Sequence, residues 1–195
     1  MPRPCMTCDE LTWVPIGIDG RSTCVRCGEI ELWSRRTVFA LCGASGAGKS
    51  TLVAPLQSRL PQHVVYDSDL LLGRWTDDWD AHFELVLRTA AMIGSNDRHA
   101  VVAGSVFPER LDPLPSRDLV GDIVYVHLDC TDVERRRRLT ERPSWRQWDE
   151  ARIAEANAFA ERCRAVCDVT VDTTGRTVDD VADEVASVIR ERSTG

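Results

Sequence analysis

Lysine is nearly absent from this chain: among its 195 residues only Lys49 is a lysine, and the remaining side-chain cations are arginines. Long apolar runs are also missing. None reaches the ~20 residues that a membrane-spanning helix needs, so an integral helical membrane protein is excluded. The first residues, MPRPCMTCDE, contain no apolar stretch of the kind a secretory leader carries, and the sequence predicts a cytoplasmic protein. Positive charge is short overall, with a formal net charge of −7. An acidic chain gains little from counterion release on DNA or RNA, which argues against nucleic-acid binding as the main activity. There is no internal repeat, no low-complexity tract and no N-K-x-D run of the kind that reads guanine. What is present is ordinary for a globular protein, 43% hydrophobic and 28% charged.

Cysteine is plentiful, with eight residues. In a cytosolic chain such a number points to metal or reduced thiols rather than disulfides. Cys5, Cys8, Cys24 and Cys27 form two C-x-x-C pairs, a spacing that suits four thiolates around tetrahedral Zn²⁺. Gly28 fits the tight turn of such a knuckle. Residues 1–34 therefore read as a small zinc ribbon. Its charges are mixed (Arg3, Arg21 and Arg26 against Asp9, Glu10, Asp19, Glu29 and Glu31), which favours a structural or protein-docking role. Cys42, Cys130, Cys163 and Cys167 lie in apolar or helical settings and show no such pairing.

After residue 34 the pattern alternates. Residues 37–42, 63–67, 99–104, 122–129 and 168–172 read as strands. Residues 50–60, 80–94, 132–142, 146–165 and 177–192 read as helices. In the second helix Phe83, Leu87, Ala90 and Ala91 share a face. Thr177 and Asp180 have the spacing of a capping box, with Asp in the place of the usual Glu or Gln. Five strand–helix alternations predict an α/β domain, a five-stranded parallel sheet between helices in three layers.

Between the first strand and its helix stands Gly43-Ala44-Ser45-Gly46-Ala47-Gly48-Lys49-Ser50-Thr51, a match to the phosphate-binding loop G-x-x-x-x-G-K-[ST]. Its glycines let successive N–H groups turn inward onto phosphate oxygens, and the helix N-terminus adds its dipole. Lys49 can reach the β- and γ-phosphates of a nucleotide, and Ser50 can offer a hydroxyl to Mg²⁺. The one retained lysine thus falls where a compact ammonium is needed. Asp67-Ser68-Asp69 follows the second strand, at the edge where open parallel sheets bind ligands. One carboxylate, Asp67, can support the Mg²⁺. The other, Asp69, can orient or deprotonate an attacking hydroxyl, or either can cap the following turn. The third strand ends in Ala103-Gly104-Ser105-Val106, with no acidic residue and room for close approach.

Residues 132–146 (DVERRRRLTERPSWR) are the richest basic stretch. Arg138 and Arg142 are four apart and share a helix face, with Arg135 on the same side. Such arginines can close over a transferring phosphoryl group, against the alternative of surface pairing with Glu134 and Glu141. Trp75, Trp79, Trp145 and Trp148 are candidates for stacking on a nucleobase and equally for core. Arg110 is a candidate to grip an acceptor.

In order, the P-loop, Asp67-Ser68-Asp69, the R-L-x-x-R-P run ending at Pro143 and the Val171-Asp172-Thr173-Thr174-Gly175 segment resemble the small P-loop kinases: shikimate, gluconate and nucleoside or nucleotide kinases. The resemblance covers residues 37–192. It implies a P-loop kinase domain over residues 35–195 that uses Mg·ATP. Lys49, Asp69, Arg138 and Arg142 would be catalytic, and the second Asp of the motif would contact the substrate hydroxyl. Residues 171–175 would border the adenine. Two features depart from shikimate kinases: Ala-Gly-Ser replaces their glycine triplet, and the tryptophans are additional. The acceptor is therefore expected to be a small molecule, nucleoside- or nucleotide-like by preference, held by Asp67, Asp69 and Arg110. The rival readings are a P-loop ATPase that docks partners through its ribbon and a nucleic-acid end kinase.

Overall fold

The computed structural model describes residues 2–5, 7–8, 11–13, 21–32, 35–72 and 78–193. At the N-terminal end two short antiparallel hairpins form, β1 (Pro2–Pro4) with β2 (Leu11–Trp13) and β3 (Arg21–Thr23) with β4 (Ile30–Leu32). The turn between β3 and β4 is closed by Gly28 donating its N–H to the Cys24 carbonyl at 2.9 Å. Gly28 takes φ 74° there, a value that costs glycine nothing.

The five remaining strands among the described residues are β5 (Val38–Cys42), β6 (His63–Asp67), β7 (His99–Ala103), β8 (Ile123–Asp129) and β9 (Val169–Asp172). They lie in the order β6-β7-β5-β8-β9, all parallel. The expected fold class is thus observed. Strand β5 is central and buried throughout, which explains why it reads as an unbroken apolar run rather than an alternation. Its neighbours β7 and β8 leave it on opposite sides, so the strand order reverses at its C-terminal end and opens a crevice there.

Helices α1 (Lys49–Arg59) and α6 (Val178–Ser193) cover one face. Leu52, Leu56, Val181, Val185 and Ile189 pack with Phe39, Leu41, Val126 and Leu128. Leu56 is fully buried in this layer, and its truncation to alanine would cost about 2–5 kcal/mol. Helix α2 (Trp79–Gly94) and the single turn α3 (Pro108–Leu111) cover the other face. There Phe83, Val86, Leu87 and Ala90 meet Val38, Ala40 and Cys42, the alternate side chains of β5. Phe83, Leu87, Ala90 and Ala91 share the buried face that their spacing predicts. Helices α4 (Asp132–Thr140) and α5 (Glu150–Val166) form a smaller cluster at the C-terminal edge, with Leu139, Ile153 and Ala160 at its centre.

Two helix boundaries differ from the sequence reading by more than one residue. Helix α4 stops at Thr140, so Arg142 lies beyond its end. Helix α5 begins at Glu150, not at residue 146, because the Asp149 carboxylate accepts the Arg152 N–H at 2.9 Å and caps the helix there. A turn of 3₁₀ helix, Ser144–Arg146, fills the gap. At α6 the capping box is partly realised. Thr177 Oγ1 accepts the Asp180 N–H at 3.1 Å, while the Asp180 carboxylate accepts the Thr177 hydroxyl at 2.6 Å rather than a backbone N–H. No helix among the described residues is long and apolar enough to cross a membrane.

Candidate active site

The P-loop joins β5 to α1 at the sheet's switch point. Gly43, Gly46 and Gly48 all take positive φ, 141°, 88° and 100°. Gly43 also needs its missing side chain, because a Cβ there would overlap the Leu128 carbonyl of β8. Lys49 Nζ crosses the loop and donates to the Gly43 and Ala44 carbonyls at 2.7 and 3.2 Å. Burial pulls the Lys49 pKa down, and the nearby carboxylates of Asp69 and Asp67 partly oppose that. The lysine and the acidic pair therefore share one crevice.

That crevice has a volume of about 1050 Å³, and Lys49, Ser50, Thr51, Asp67 and Asp69 line it. Asp67 accepts the Asp69 N–H at 2.9 Å, capping a short 3₁₀ turn over Ser68–Leu71. The capping alternative thus applies to Asp67, and its second carboxylate oxygen has no hydrogen-bond partner among the described residues. Ser68, between the two, is buried against Gly104, where a Cβ would overlap its hydroxyl. The close approach that Gly104 permits is made by the Asp-Ser-Asp segment itself.

The arginines separate into three kinds. Arg138 lines the crevice while donating to Glu134 Oε1 (2.7 Å), Gly46 O (3.1 Å), Thr173 Oγ1 (2.9 Å) and Thr173 O (2.7 Å). It ties α4 to the P-loop and to the loop after β9. Arg142 lines the crevice, partly buried. Burial lowers its pKa, as does the like charge of Arg146, and no carboxylate among the described residues pairs with it. Arg135 does not share their side. It is fully buried, with Nη2 donating to Asp129 Oδ1 at 2.8 Å and to the Cys130 carbonyl at 3.0 Å. Burial alone would raise the Asp129 pKa, but Arg164 and Arg135 more than offset it and hold the carboxylate charged. This counter-charge at the end of β8, unassigned in the sequence reading, draws Arg135 inward.

Trp145 and Trp148 lie in the crevice wall, Trp145 80% exposed at its mouth and Trp148 under the Arg152 guanidinium, 4.6 Å from the ring centroid. Trp79 instead packs with His82 and Phe83 on α2, and Trp75 lies outside the described residues. Arg110 is exposed on α3, away from the crevice lining. The loop after β9 does border the crevice, through Thr173 and Gly175. Thr173 was legible only as part of the V-D-T-T-G segment. Its hydroxyl and N–H both donate to the Asp129 carbonyl, at 2.9 and 2.7 Å.

In the ribbon, the sulfurs of Cys5, Cys8, Cys24 and Cys27 lie within 4.8 Å of one another. Cys5–Cys27 and Cys8–Cys24 are each 3.7 Å apart. Four sulfurs ~2.3 Å from a tetrahedral zinc would be about 3.8 Å apart, so the quartet fits that ion. The amides of Cys27 and Arg26 hold the Cys24 thiol down at about 6. The Glu29 amide favours the Cys27 thiolate, but burial and the three neighbouring sulfurs outweigh it and carry that thiol up to about 12.

No protein-family model matches the chain, and no curated protein matches it. Solved structures do. A sugar kinase from a Janibacter species aligns with TM-score 0.58 at 12% identity, over 82% of this chain and 97% of its own. Shikimate kinase from Acinetobacter baumannii, in complex with shikimate, aligns with TM-score 0.57 at 18% identity, over 84% and 97%. A gluconokinase from Sinorhizobium meliloti aligns with TM-score 0.59 at 15% identity, over 83% and 95%. At these identities the likeness is one of fold: the chain has the α/β fold of the small P-loop kinases, with a four-cysteine cluster near its N-terminus.

Proposed function

We propose that this protein is an ATP-dependent phosphotransferase that moves the γ-phosphate of Mg·ATP to a hydroxyl or phosphate of a small, nucleoside- or nucleotide-like molecule. The observation that carries the proposal is the pairing of Asp67 and Asp69 with Lys49 across one crevice. A protein that only binds or hydrolyses nucleotide has no need of a second carboxylate aimed at an acceptor. Residues 43–51 hold the phosphates, and Lys49 leaves its carbonyl partners to reach them. Ser50 and Asp67 are the residues that would hold Mg²⁺, which neutralises charge on the β- and γ-phosphates when bound. Asp69 takes or orients the proton of the attacking hydroxyl. Arg142, with no carboxylate partner among the described residues, meets the charge that develops on the transferred group, and Arg138 keeps the P-loop and the loop after β9 in register. The ribbon over residues 1–34 is a zinc-stapled unit beside the kinase domain of residues 35–195, and it offers a surface for a protein partner.

The test is transfer from labelled ATP across nucleosides, nucleotides, sugars and cyclic hydroxy acids, in wild type and two variants. Asp69→Asn keeps the shape and the ATP affinity but loses turnover by roughly 10²- to 10⁴-fold, the usual worth of a positioned base. Lys49→Ala weakens or misplaces ATP itself. Brisk ATP hydrolysis indifferent to Asp69→Asn, with no acceptor phosphorylated, overturns the kinase reading in favour of an ATPase.

A further inference from the structure

Beneath the P-loop, on the sheet face covered by α2, two cysteines from distant parts of the chain meet. Cys42 Sγ and Cys167 Sγ are 3.0 Å apart, closer than the 3.7 Å of the paired ribbon sulfurs. Both are held there by the same strand. Cys42 ends β5 in register with His127 of β8, and its sulfur lies 3.5 Å from the Val126 carbonyl. Cys167 precedes Asp168, whose N–H donates to the Tyr125 carbonyl at 2.9 Å while its carboxylate accepts the Tyr125 N–H at 2.7 Å. The meeting of the sulfurs is therefore a property of the sheet, not of a loose side chain.

We propose that Cys42 and Cys167 form a reversible disulfide under peroxide, and that this bond weakens nucleotide binding at the adjoining P-loop. The pair is asymmetric in the way such chemistry uses. Cys167 is partly exposed, whereas Cys42 is fully buried. The Cys42 thiol donates to Cys167 and lowers its pKa, while the same contact and burial raise that of Cys42. Cys167 is accordingly the thiolate that meets the oxidant. Its sulfur attacks one oxygen of hydrogen peroxide, the O–O bond breaks, and Cys167 becomes a sulfenic acid as hydroxide leaves and takes up a proton to become water. The Cys42 sulfur then attacks the Cys167 sulfur, and the S–O bond breaks. The departing oxygen takes the Cys42 proton and leaves as a second water. Two thiols and one peroxide become one disulfide and two waters, and the two electrons lost by sulfur reduce the O–O bond.

The consequence for the site follows from what is next to Cys42. A disulfide is about 2 Å long, so closing it draws the sulfurs about 1 Å together. Gly43 follows Cys42 directly, and its carbonyl receives the Lys49 ammonium. It has no slack on the other side, where it already lies against Leu128. Movement of Cys42 therefore passes to the Gly43 carbonyl and to Lys49. A misplacement of ~1 Å at a positioned group costs up to the order of 10²-fold, and the oxidised chain is expected to bind Mg·ATP about tenfold more weakly.

This coupling rests on the nucleotide reading of the P-loop; the disulfide itself does not. The experiment treats the full, zinc-loaded chain with hydrogen peroxide, blocks remaining thiols, digests with trypsin and maps the peptides by mass. Peptide 37–49 should appear joined to peptide 165–176, 2 Da below their sum. Cys163 falls in a different peptide, so it cannot be mistaken for Cys167. Mg·ATP affinity is measured on reduced, oxidised and re-reduced protein, together with Cys167→Ser and Cys163→Ser. The expected result is a link in wild type and in Cys163→Ser, a tenfold loss of affinity that a dithiol reverses, and no loss in Cys167→Ser. Over-oxidised Cys167 with no linked peptide overturns the disulfide, as does a link from Cys42 to Cys163. A link with unchanged affinity overturns the coupling. A linked chain whose reduced form binds no nucleotide overturns the P-loop reading and the coupling, and leaves the disulfide standing.

Discussion

Ser68 and Gly104 are in contact across two parallel strand ends, and the missing side chain of Gly104 is what lets the Ser68 hydroxyl lie there. Ser68 sits between the two crevice carboxylates, so this contact is expected to set how deeply Asp67 and Asp69 reach toward Lys49. The first prediction is that Gly104→Ala lowers turnover at least tenfold while the Mg·ATP dissociation constant changes by less than about threefold. Overpacking at a tight contact costs about 1–3 kcal/mol, enough for such an effect. Ser68→Ala in the same chain removes the overlapping oxygen and should restore part of the loss. Steady-state kinetics on the two single variants and the double variant give the coupling directly. Additive effects would mean that the contact does not position the acidic pair.

Much of this arrangement is legible in the sequence. The five strands announce themselves because β-branched and apolar runs are each bounded by glycine, proline or aspartate. The P-loop is specific since its glycines, lysine and hydroxyl are required by one geometry. What stays hidden depends on partners remote in sequence. Arg135 looks like Arg138 and Arg142 on a helical wheel. Only the direction of the β8 terminus shows that Asp129 waits beneath it. The start of α5 is misplaced by four residues because Asp149 is a good cap with no neighbouring signal that prefers it. Cys42 and Cys167 are 125 residues apart, and no local pattern connects them. The rest of the crevice wall is the least legible part. Arg110 does not line it, and Trp145, Trp148 and Arg152 come together only through the 3₁₀ turn at Ser144–Arg146.

Arg142 is the subject of a second prediction. On the phosphotransferase reading, a guanidinium that borders the crevice beside Arg146, with no carboxylate partner among the described residues, is a charge kept for an anion. Arg142→Ala should lower turnover by a factor on the order of 10³, the worth of an arginine that meets a transferring phosphoryl group. Affinity for ATP should fall far less, since the interaction is strongest in the transition state. Single-turnover transfer measured with saturating substrates checks this. Unchanged turnover would reduce Arg142 to a surface residue.

The ribbon gives a third prediction. The purified chain should carry about one Zn²⁺, measured by elemental analysis after chelator-free, reducing purification, and Cys8→Ser should lose it. Because Cys8 is remote in sequence from residues 43–51, nucleotide affinity in that variant should stay within about twofold of wild type by calorimetry. Metal-free wild type would remove zinc from the account, and parallel loss of zinc and nucleotide binding would mean that the ribbon supports the crevice.

The last prediction concerns acid stability and His63. This histidine is buried at the start of β6, stacked on His99 at 5.3 Å and beside Phe39, with Nε2 3.0 Å from the Ser193 hydroxyl. Burial lowers its pKa to about 4, and the positive charges of His99 and Arg98 push it the same way. Its ordinary value is 6.5. Between those two values the unfolded chain holds a proton that the folded chain refuses, so folding stability rises with pH across that window. Above pH 6.5 the residue is neutral in both states and contributes no slope. As the pH falls from 6.5 to 4, about 3 kcal/mol of stability is lost through this group, at roughly 1.4 kcal/mol for each pH unit crossed. His82 and His127, whose pKa values are also lowered by burial, act with the same sign. The partly buried carboxylate of Glu134, held at about 2 by Arg137 and Arg138, acts only below its ordinary value of 4.5. Its effect therefore falls mostly outside the histidine window. His63→Gln keeps a polar group near Ser193 and removes the titration. Urea unfolding at intervals from pH 4 to 8 should show wild type losing stability steeply below pH 6.5. In the variant the slope near pH 5 should be shallower by about one proton. Equal slopes in the two proteins would place the proton uptake on other groups.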